Sequence, residues 1–332
     1  MAHRILGIAL FLLIATNHLS VHAAEEDLKK KAFLTEKEAG PDFNIQGEYS
    51  GKISTKDGDR SFGLQVISLG GGKFRAVSYP GGLPGDGWNG EEKSETEGEM
   101  ENGAALFRKG DAVGIAKNGV LTVKNSNNVE VGTFKKVNRK SSTLGKKAPQ
   151  GAVVLFDGTS PKNFQGGRMT KDGLLMQGVT SHQKFQSYAL HLEFMISYMP
   201  YARGQGRGNS GCYMQGRYEV QILDSFGLEG KNNECGGLYE IKDPAVNMCY
   251  PPLSWQTYDI DYTAAKFDEN GKKTAKARIK VRHNGVVIHD DVELPRSTRG
   301  APVKEGPEPG PIYIQDHRNP IRFRNIWLVE KK

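Results

Sequence analysis

Short segments that alternate between apolar and polar residues recur from residue 42 almost to the end of the chain, and most end in glycine, proline or a charged turn. Between residues 190 and 196 every second residue is apolar, which is the period of a strand with one buried face. Two such segments flank Asn284 and Gly285, a dipeptide that supplies the positive φ angles of a type I′ hairpin turn. No segment keeps a helical period over three turns, so the pattern predicts an all-β protein.

The 332 residues are enough for two domains, because one hydrophobic core usually serves about 100–200 residues. Residues 41–137 are interpreted as a small antiparallel β domain of unknown role, a meander or a barrel, preceded by a charged tether at 24–40. Residues 138–150 are polar and basic, which is typical of a linker. In residues 151–332, strands joined by long loops without intervening helices favour an antiparallel jelly-roll sandwich.

The first 23 residues have the pattern of a signal peptide. Arg4 precedes an apolar run at 5–15, and Val21 and Ala23 are small side chains at the positions that a signal peptidase reads. The alternative, a membrane anchor, needs about 20 apolar residues, and this run is shorter. The sequence therefore predicts an exported protein without a membrane span.

The formal net charge of +7 is spread along the chain. Local runs at 29–31 and 146–147 have the composition of solvated linkers, and no basic stripe alternates with aromatic residues. A nucleic-acid partner is therefore not expected.

Three cysteines leave two redox states open. Cys235 and Cys249 could close one disulfide in an oxidising compartment, or Cys212, Cys235 and Cys249 could all be buried free thiols. The sequence has no CxxC motif or Cys/His zinc spacing.

The densest group of polar residues lies between 204 and 225. On the strand predicted near residue 220, Glu219 and Gln221 project from the same face, and Asp224 follows closely. An acid, an amide and a second acid on one sheet face suit work on a carbohydrate, because the acid can move protons while the amide fixes a hydroxyl. The spacing is similar to the acid motif of laminarinase-like retaining glycosidases, with an amide as its middle member. An ordinary solvated strand face is an equally open interpretation.

A second polar group surrounds His317. The histidine follows Asp316 where a strand ends, and Arg322 and Arg324 share one face of the next strand. A histidine beside a carboxylate and arginines is a candidate for proton transfer or metal binding.

Six motifs resemble, in the same order, those of the 3-keto-disaccharide hydrolase family: VVLFDGTSPKNF, YALHLEFM, RGNSGCYMQGRYEVQILDS, WQTYDIDYTAAKF, ARIKVRHNGVVIHDDVEL and GPIYIQDHRNPIRFRNIW. The resemblance covers residues 151–332. It implies a concanavalin A-like jelly roll that bacteria export to the periplasm, the cell envelope or the medium, and that acts on oxidised glycosides. The chain departs from the family at Arg318, where glycine is usual, and at Ala265 and Lys266.

The resemblance also implies the chemistry. A ketone at C3 of a sugar acidifies the proton on C2, so a base can start a β-elimination that releases the group on C1, and water then completes the hydrolysis. A divalent cation is a possible cofactor, with Glu219 and His317 as candidate ligands. The expected catalytic residues are Glu219, His317 and Asp224, and the expected substrate-binding residues are Gln221, Arg324, Asn209 and Tyr218.

Two other functions stay open. One is an ordinary endoglycanase on the same fold, and the other is a non-catalytic module that binds carbohydrate or belongs to the cell envelope. In all three hypotheses the partner is a carbohydrate.

Overall fold

The structure is a computed structural model that describes residues 26–331. The predicted signal peptide, residues 1–23, lies outside the described residues. None of the helices in the described part is long and apolar enough to cross a membrane.

The first half of the structure is a closed antiparallel barrel in which β1 to β8 pair in chain order and β8 returns to β1. Closure removes free sheet edges, and an eight-stranded barrel is just wide enough for side chains to fill its interior. A short helix, α1 (Pro41–Ile45), precedes it. The barrel strands are β1 (Gly47–Thr55), β2 (Gly58–Gly70), β3 (Lys73–Pro80), β4 (Ser94–Glu101), β5 (Ala104–Lys109), β6 (Ala112–Lys117), β7 (Val120–Lys124) and β8 (Glu130–Val137).

The second half is a sandwich. Its strands are β9 (Val153–Phe156), β10 (Phe164–Gln165), β11 (Leu175–Met176), β12 (Val179–Phe185), β13 (Tyr188–Met195), β14 (Ser210–Met214), β15 (Tyr218–Ile222), β16 (Trp255–Thr263), β17 (Lys266–Phe267), β18 (Lys273–Ala275), β19 (Ala277–His283), β20 (Val286–Leu294), β21 (Gly310–Ile314) and β22 (Arg322–Glu330). A 3₁₀ turn at Gly204–Gly206 precedes β14.

Two sheets face each other across the main core. One has the order β10-β12-β21-β14-β15, and the other has β11-β22-β13-β16-β19-β20 with β9 added beside β22. Apolar residues from both sheets form one continuous buried cluster, and a separate cluster fills the barrel. The predicted fold class, an all-β chain with a concanavalin-like jelly-roll sandwich after a small antiparallel β domain, is confirmed.

The loop that precedes β14 contacts the end of β2. Arg203 Nη2 donates to the Leu69 carbonyl at 2.8 Å, and the ring of Tyr201 lies where a side chain at Gly70 would stand. The predicted tether also reaches the sandwich, since Phe33 and Tyr198 form a β-bridge. The barrel therefore packs against the sandwich loop that precedes β14.

The predicted linker lies along the outer face of the sheet that contains β13 and β16. The Gly145 amide donates to Glu193 Oε1 at 2.6 Å, and the Thr143 hydroxyl donates to Asp259 Oδ2 at 2.6 Å. Buried His191 lies between these two carboxylates, 2.9 Å from Asp259 Oδ1 and 3.6 Å from Glu193 Oε1, and it stacks on Trp327. The group of His191, Glu193 and Asp259 therefore holds the linker against the sheet by hydrogen bonds.

The charge on this group depends on pH. Burial opposes a charged imidazole, but the hydrogen bonds and charges of Asp259 and Glu193 outweigh it and raise the pKa of His191. Burial likewise opposes charge on Glu193, yet its hydrogen bonds, led by that with His191, lower its pKa to about 2. The carboxylate contribution is therefore present above about pH 4.5, and the histidine contribution is lost as pH rises through its raised pKa.

We expect His191→Gln to lower the free energy of unfolding by about 2 kcal/mol near pH 6, because a buried charged hydrogen bond is removed. The loss should shrink as pH rises through the raised pKa of His191, because the wild-type imidazole then becomes neutral. Melting temperatures from pH 5 to 9 would show this, with exposed His182→Gln on β12 as control. Parallel curves for wild type and His191→Gln would contradict the assignment.

Candidate active site

A polar cleft of about 380 Å³ lies on the face of β14 and β15 that points away from the core. Alternation along these strands explains it: Val220 faces the core, while Glu219 faces the cleft. On the neighbouring strand Tyr213 is directly opposite Glu219, and Gly211 is opposite Gln221. The lining residues are Gln205, Asn209, Tyr213, Glu219, Gln221, Tyr239, Arg299, Gly300, Gln315 and His317.

Glu219 is the buried acid of the cleft. Its Oε2 accepts a 2.7 Å hydrogen bond from the Tyr213 hydroxyl, and its side chain is only 2% exposed. Burial raises the pKa of Glu219 to about 8, and the Tyr213 hydrogen bond lowers it only in part. A carboxyl group that ionises near neutral pH is suited to proton transfer in either direction.

Gly211 makes room for this carboxyl group. A Cβ at position 211 would overlap Glu219 Oε1 and lie 2.8 Å from its Cδ. The cross-strand neighbour of Gln221 therefore has to be glycine for Glu219 to keep its position.

We expect Gly211→Ala to lower the free energy of unfolding by about 1–3 kcal/mol, the usual cost of overpacking a buried site. Urea denaturation measures it. Gly206→Ala is a matched control, because a Cβ at position 206 meets no atom within 4 Å. Equal stabilities for the two variants would contradict the steric role of Gly211.

Gln221 joins Glu219 to the loop before β14. Its amide nitrogen is assigned to the end that faces two acceptors, Glu219 Oε1 at 2.8 Å and the Ser210 carbonyl oxygen at 3.1 Å. The other end faces Gln205 at 3.1 Å and Asn209 at 3.3 Å. This chain of amides offers both donors and acceptors to hydroxyl groups of a ligand.

The opposite rim comes from loops and from the segment after β21. His317 is exposed beside the cleft, and Gln315 donates to the Tyr213 hydroxyl at 3.3 Å. Arg299 contributes a guanidinium group and also pairs with Glu240 at 3.1 Å. The cleft therefore combines an acid, a histidine and a cation with several amides and phenols.

The structure brings together four of the predicted site residues: Glu219, Gln221, Asn209 and His317. It places the other three elsewhere. Tyr218 points into the core, and its hydroxyl donates to Glu305. Asp224 is held by Arg207 at 2.6 Å outside this cleft, and Arg324 belongs to the other sheet, where it pairs with Glu193 at 2.7 Å. The alternation that places Glu219 in the cleft puts Tyr218 on the opposite face.

Sequence reasoning missed Tyr213, Tyr239, Arg299, Gln205 and Gln315. Tyr213 could have been found, since it alternates with Gly211 on the strand before Glu219. Tyr239 and Arg299 lie outside the strands, where no periodicity indicates which way a side chain points.

The cleft offers few side chains that could bind the predicted divalent cation. Glu219 and His317 are the two lining side chains of the types that usually bind metals, and Glu219 is already bonded to Tyr213. Between residues 26 and 331 no group of three or more histidine, cysteine, aspartate or glutamate side chains is arranged to hold an ion. These residues do not fit a cation held by the protein alone, and we derive no step through one.

The three cysteines are all buried free thiols in the structure. They lie in the core and outside the cleft.

The chain is similar to a known domain family and to solved structures. The model of the 3-keto-alpha-glucoside-1,2-lyase-like domain matches residues 151–329. A solved structure described as a "putative glycosyl hydrolase" from Parabacteroides distasonis is 32% identical, with a TM-score of 0.50, over 55% of this chain and 85% of its own. Another structure with that description and organism is 15% identical, with a TM-score of 0.42, over 58% of this chain and 100% of its own. The comparison with curated proteins found no match.

The family match covers residues 151–329 and includes every residue of the cleft. It supports a glycosidase-type activity for this half and leaves the barrel outside the match. The chain belongs to the family of 3-keto-alpha-glucoside-1,2-lyase-like domains.

Proposed function

We propose that the protein cleaves 3-keto-glycosides by β-elimination followed by addition of water. The observation that carries this proposal is the buried carboxyl group of Glu219, whose pKa is raised to about 8, in a cleft lined by hydrogen-bonding side chains. The family match supports action on glycosides, and the predicted signal peptide supports action outside the cytoplasm. The proposal adds to this support that the sugar of the substrate is oxidised at C3.

The reaction needs one strong proton acceptor rather than two carboxylates. Glu219 takes the proton from C2, the C–H electrons form the C1–C2 double bond, and the C1–O bond breaks. The departing oxygen takes its electron pair and a proton, and water then adds a hydroxyl to C1 and a proton to C2. Removing a proton next to a ketone is feasible because the enolate spreads charge onto the C3 oxygen.

The residues of the cleft suit these steps. Tyr213 orients the Glu219 carboxyl group through its 2.7 Å hydrogen bond, and Gln221 bonds the other carboxyl oxygen. Arg299 lines the cleft and can face the enolate oxygen, whereas Arg324, which was expected to bind the substrate, pairs with Glu193 on the other sheet. His317, at the rim, is the candidate acid for the departing oxygen.

An ordinary retaining glycosidase needs two carboxyl groups about 5–5.5 Å apart. Among the described residues, Glu219 is the single carboxylate that lines the cleft. If the site binds a sugar without cleaving it, the domain is a carbohydrate-binding module. The experiment below distinguishes the enzyme from the binding module.

The test is release of 3-keto-glucose from methyl 3-keto-glucoside in D₂O, followed by NMR with and without a chelator. Elimination and hydration place deuterium on C2 of the released 3-keto sugar, whereas direct displacement at C1 keeps the original hydrogen. Methyl glucoside, which has no ketone, is the control substrate and should stay intact. Release without deuterium at C2 would overturn the mechanism, and binding without release would favour the binding module.

A further inference from the structure

A second cavity, of about 740 Å³, adjoins the cleft. His317 lines both, and the segment from Gln205 to Asn209 lies between them, because Gly206 lines the second cavity while Gln205 and Asn209 line the cleft. A group that leaves C1 of a sugar in the cleft, beside His317, would have this cavity as its nearest enclosed space. The other lining residues are Lys29, Lys30, Met199, Tyr201, Ala202, Arg203, Arg318 and Asn319.

The lining of this cavity is positively charged. It holds two lysines and two arginines, and no aspartate or glutamate lines it within the described ranges. Lys29 is paired with Glu26 at 3.3 Å, so the excess charge comes from the other three. Arg203 bonds backbone carbonyl oxygens of Pro200, Ala202 and Leu69, and burial followed by the charges of Arg207 and Arg75 lowers its pKa.

Arg318 stands in a costly backbone conformation. Its φ is +64°, in the left-handed region that glycine or asparagine would adopt more easily, and the Asp316 side chain accepts its backbone amide at 2.8 Å. A strained residue beside a site is a reason to suspect a function for its side chain. Here the side chain adds a guanidinium group next to His317.

Tyr201 gives the cavity an aromatic face. Its position is fixed from behind, because the ring packs where a side chain at Gly70 of the barrel would stand, and Gly70 has a φ of +81°. A rigid ring beside cations is a common way to hold a ring-shaped ligand that carries negative charge.

We propose that this cavity is the subsite for the leaving group, and that the substrate is a 3-keto-glycoside whose aglycone carries a carboxylate or a sulfate. The proposal rests on the proposed function for the identity of the cleft. The anionic group would be held by Lys30, Arg203 and Arg318, with Tyr201 beneath the ring of the aglycone. His317 then lies between the two halves of the substrate.

The kinetic test uses three aryl 3-keto-glucosides that differ only in the para group of the ring: carboxylate, sulfonate or neutral carboxamide. We expect kcat/KM for the full chain to be about tenfold higher for the anions than for the amide at low salt, and the ratio to fall as salt screens the charges. The carboxylate and sulfonate arms show which anion fits better. Equal values for the anions and the amide would overturn the proposal.

The variant test uses Arg318→Gly, which removes the charge and suits a positive φ, so it should fold at least as well as the wild type. It should lower the ratio of anion to amide about fivefold, because it removes one of the three cations that would hold the anion. Lys56→Gln, an exposed lysine in the turn between β1 and β2, is the charge control. An unchanged ratio in Arg318→Gly would overturn the role of Arg318.

Binding separates this proposal from the proposed function. Calorimetry with 4-hydroxybenzoate, 4-hydroxybenzenesulfonate and 4-hydroxybenzamide reports on the subsite even if no keto-glycoside is cleaved. We expect binding of the anions that weakens with salt and in Arg318→Gly. Binding of the anions without turnover would support the subsite and overturn the proposed function. Turnover with equal binding of anion and amide would support the proposed function and overturn the subsite.

Discussion

Glu219→Gln is expected to lower kcat on a 3-keto-glucoside by about a thousandfold, the usual range for loss of a general base. The amide has the same shape and can still accept the hydrogen bond from Tyr213, so the protein should fold. Steady-state kinetics with a 3-keto-glucoside measures the effect. Glu305→Gln is the matched control, because Glu305 bonds Tyr218 and Lys273 away from the cleft.

The same residue sets two pH dependences of opposite sign. Because the pKa of Glu219 is raised to about 8, the ionised base forms as pH rises through 8, and kcat/KM should rise over that range. Folded Glu219 keeps its proton between about pH 4.5 and 8 while the unfolded chain loses it, so stability falls as pH rises across this window. The rise in kcat/KM should be absent in Glu219→Gln, and the fall in stability should be smaller than in the wild type by the contribution of Glu219. Wild-type kcat retained in this variant would remove Glu219 as the base.

The fold follows from the sequence where local signals and packing agree. The alternation between residues 190 and 196 corresponds to β13, whose Leu190 and Leu192 are buried in the core. Asn284 and Gly285 have φ values of +52° and +86°, as the predicted type I′ turn requires. The sequence left a meander and a barrel open, because pairing of β1 with β8 depends on contacts far apart in sequence.

The cleft could be predicted only where strands position it. Glu219 and Gln221 share a face because side chains alternate, and this rule applies to any sheet. Asp224 lies past the end of β15 at Ile222, so alternation no longer determines its direction. Arg324 was expected near Glu219, but its strand belongs to the opposite sheet, which the order of strands along the chain does not reveal.

The barrel contributes to the site indirectly. Its β2 end supports the loop that carries Tyr201, Arg203 and Arg207, and that loop leads into Asn209 and β14. A separate apolar cluster joins Ile67, Val77 and Tyr79 of the barrel to Phe226 of the sandwich. The barrel and the sandwich are thus packed together next to the cleft.

Arg207→Met is expected to lower the free energy of unfolding by about 3–5 kcal/mol, because it leaves a buried carboxylate without its partner. Arg207 is 6% exposed and Asp224 3% exposed, and their side chains meet at 2.6 Å. Chemical denaturation of the full chain measures the loss. Arg278→Met removes an exposed arginine that pairs with Asp291, and this control should leave the denaturation midpoint nearly unchanged.

The double variant Arg207→Met with Asp224→Leu decides what Asp224 does. If Asp224 only balances the charge of Arg207, replacing both by apolar residues should restore most of the stability, since a buried ion pair is often no better than a well-packed apolar pair. Its kcat should then stay within about tenfold of the wild type, because Asp224 lies outside the cleft. A restored stability with kcat as low as that of Glu219→Gln would instead show that Asp224 takes part in the chemistry.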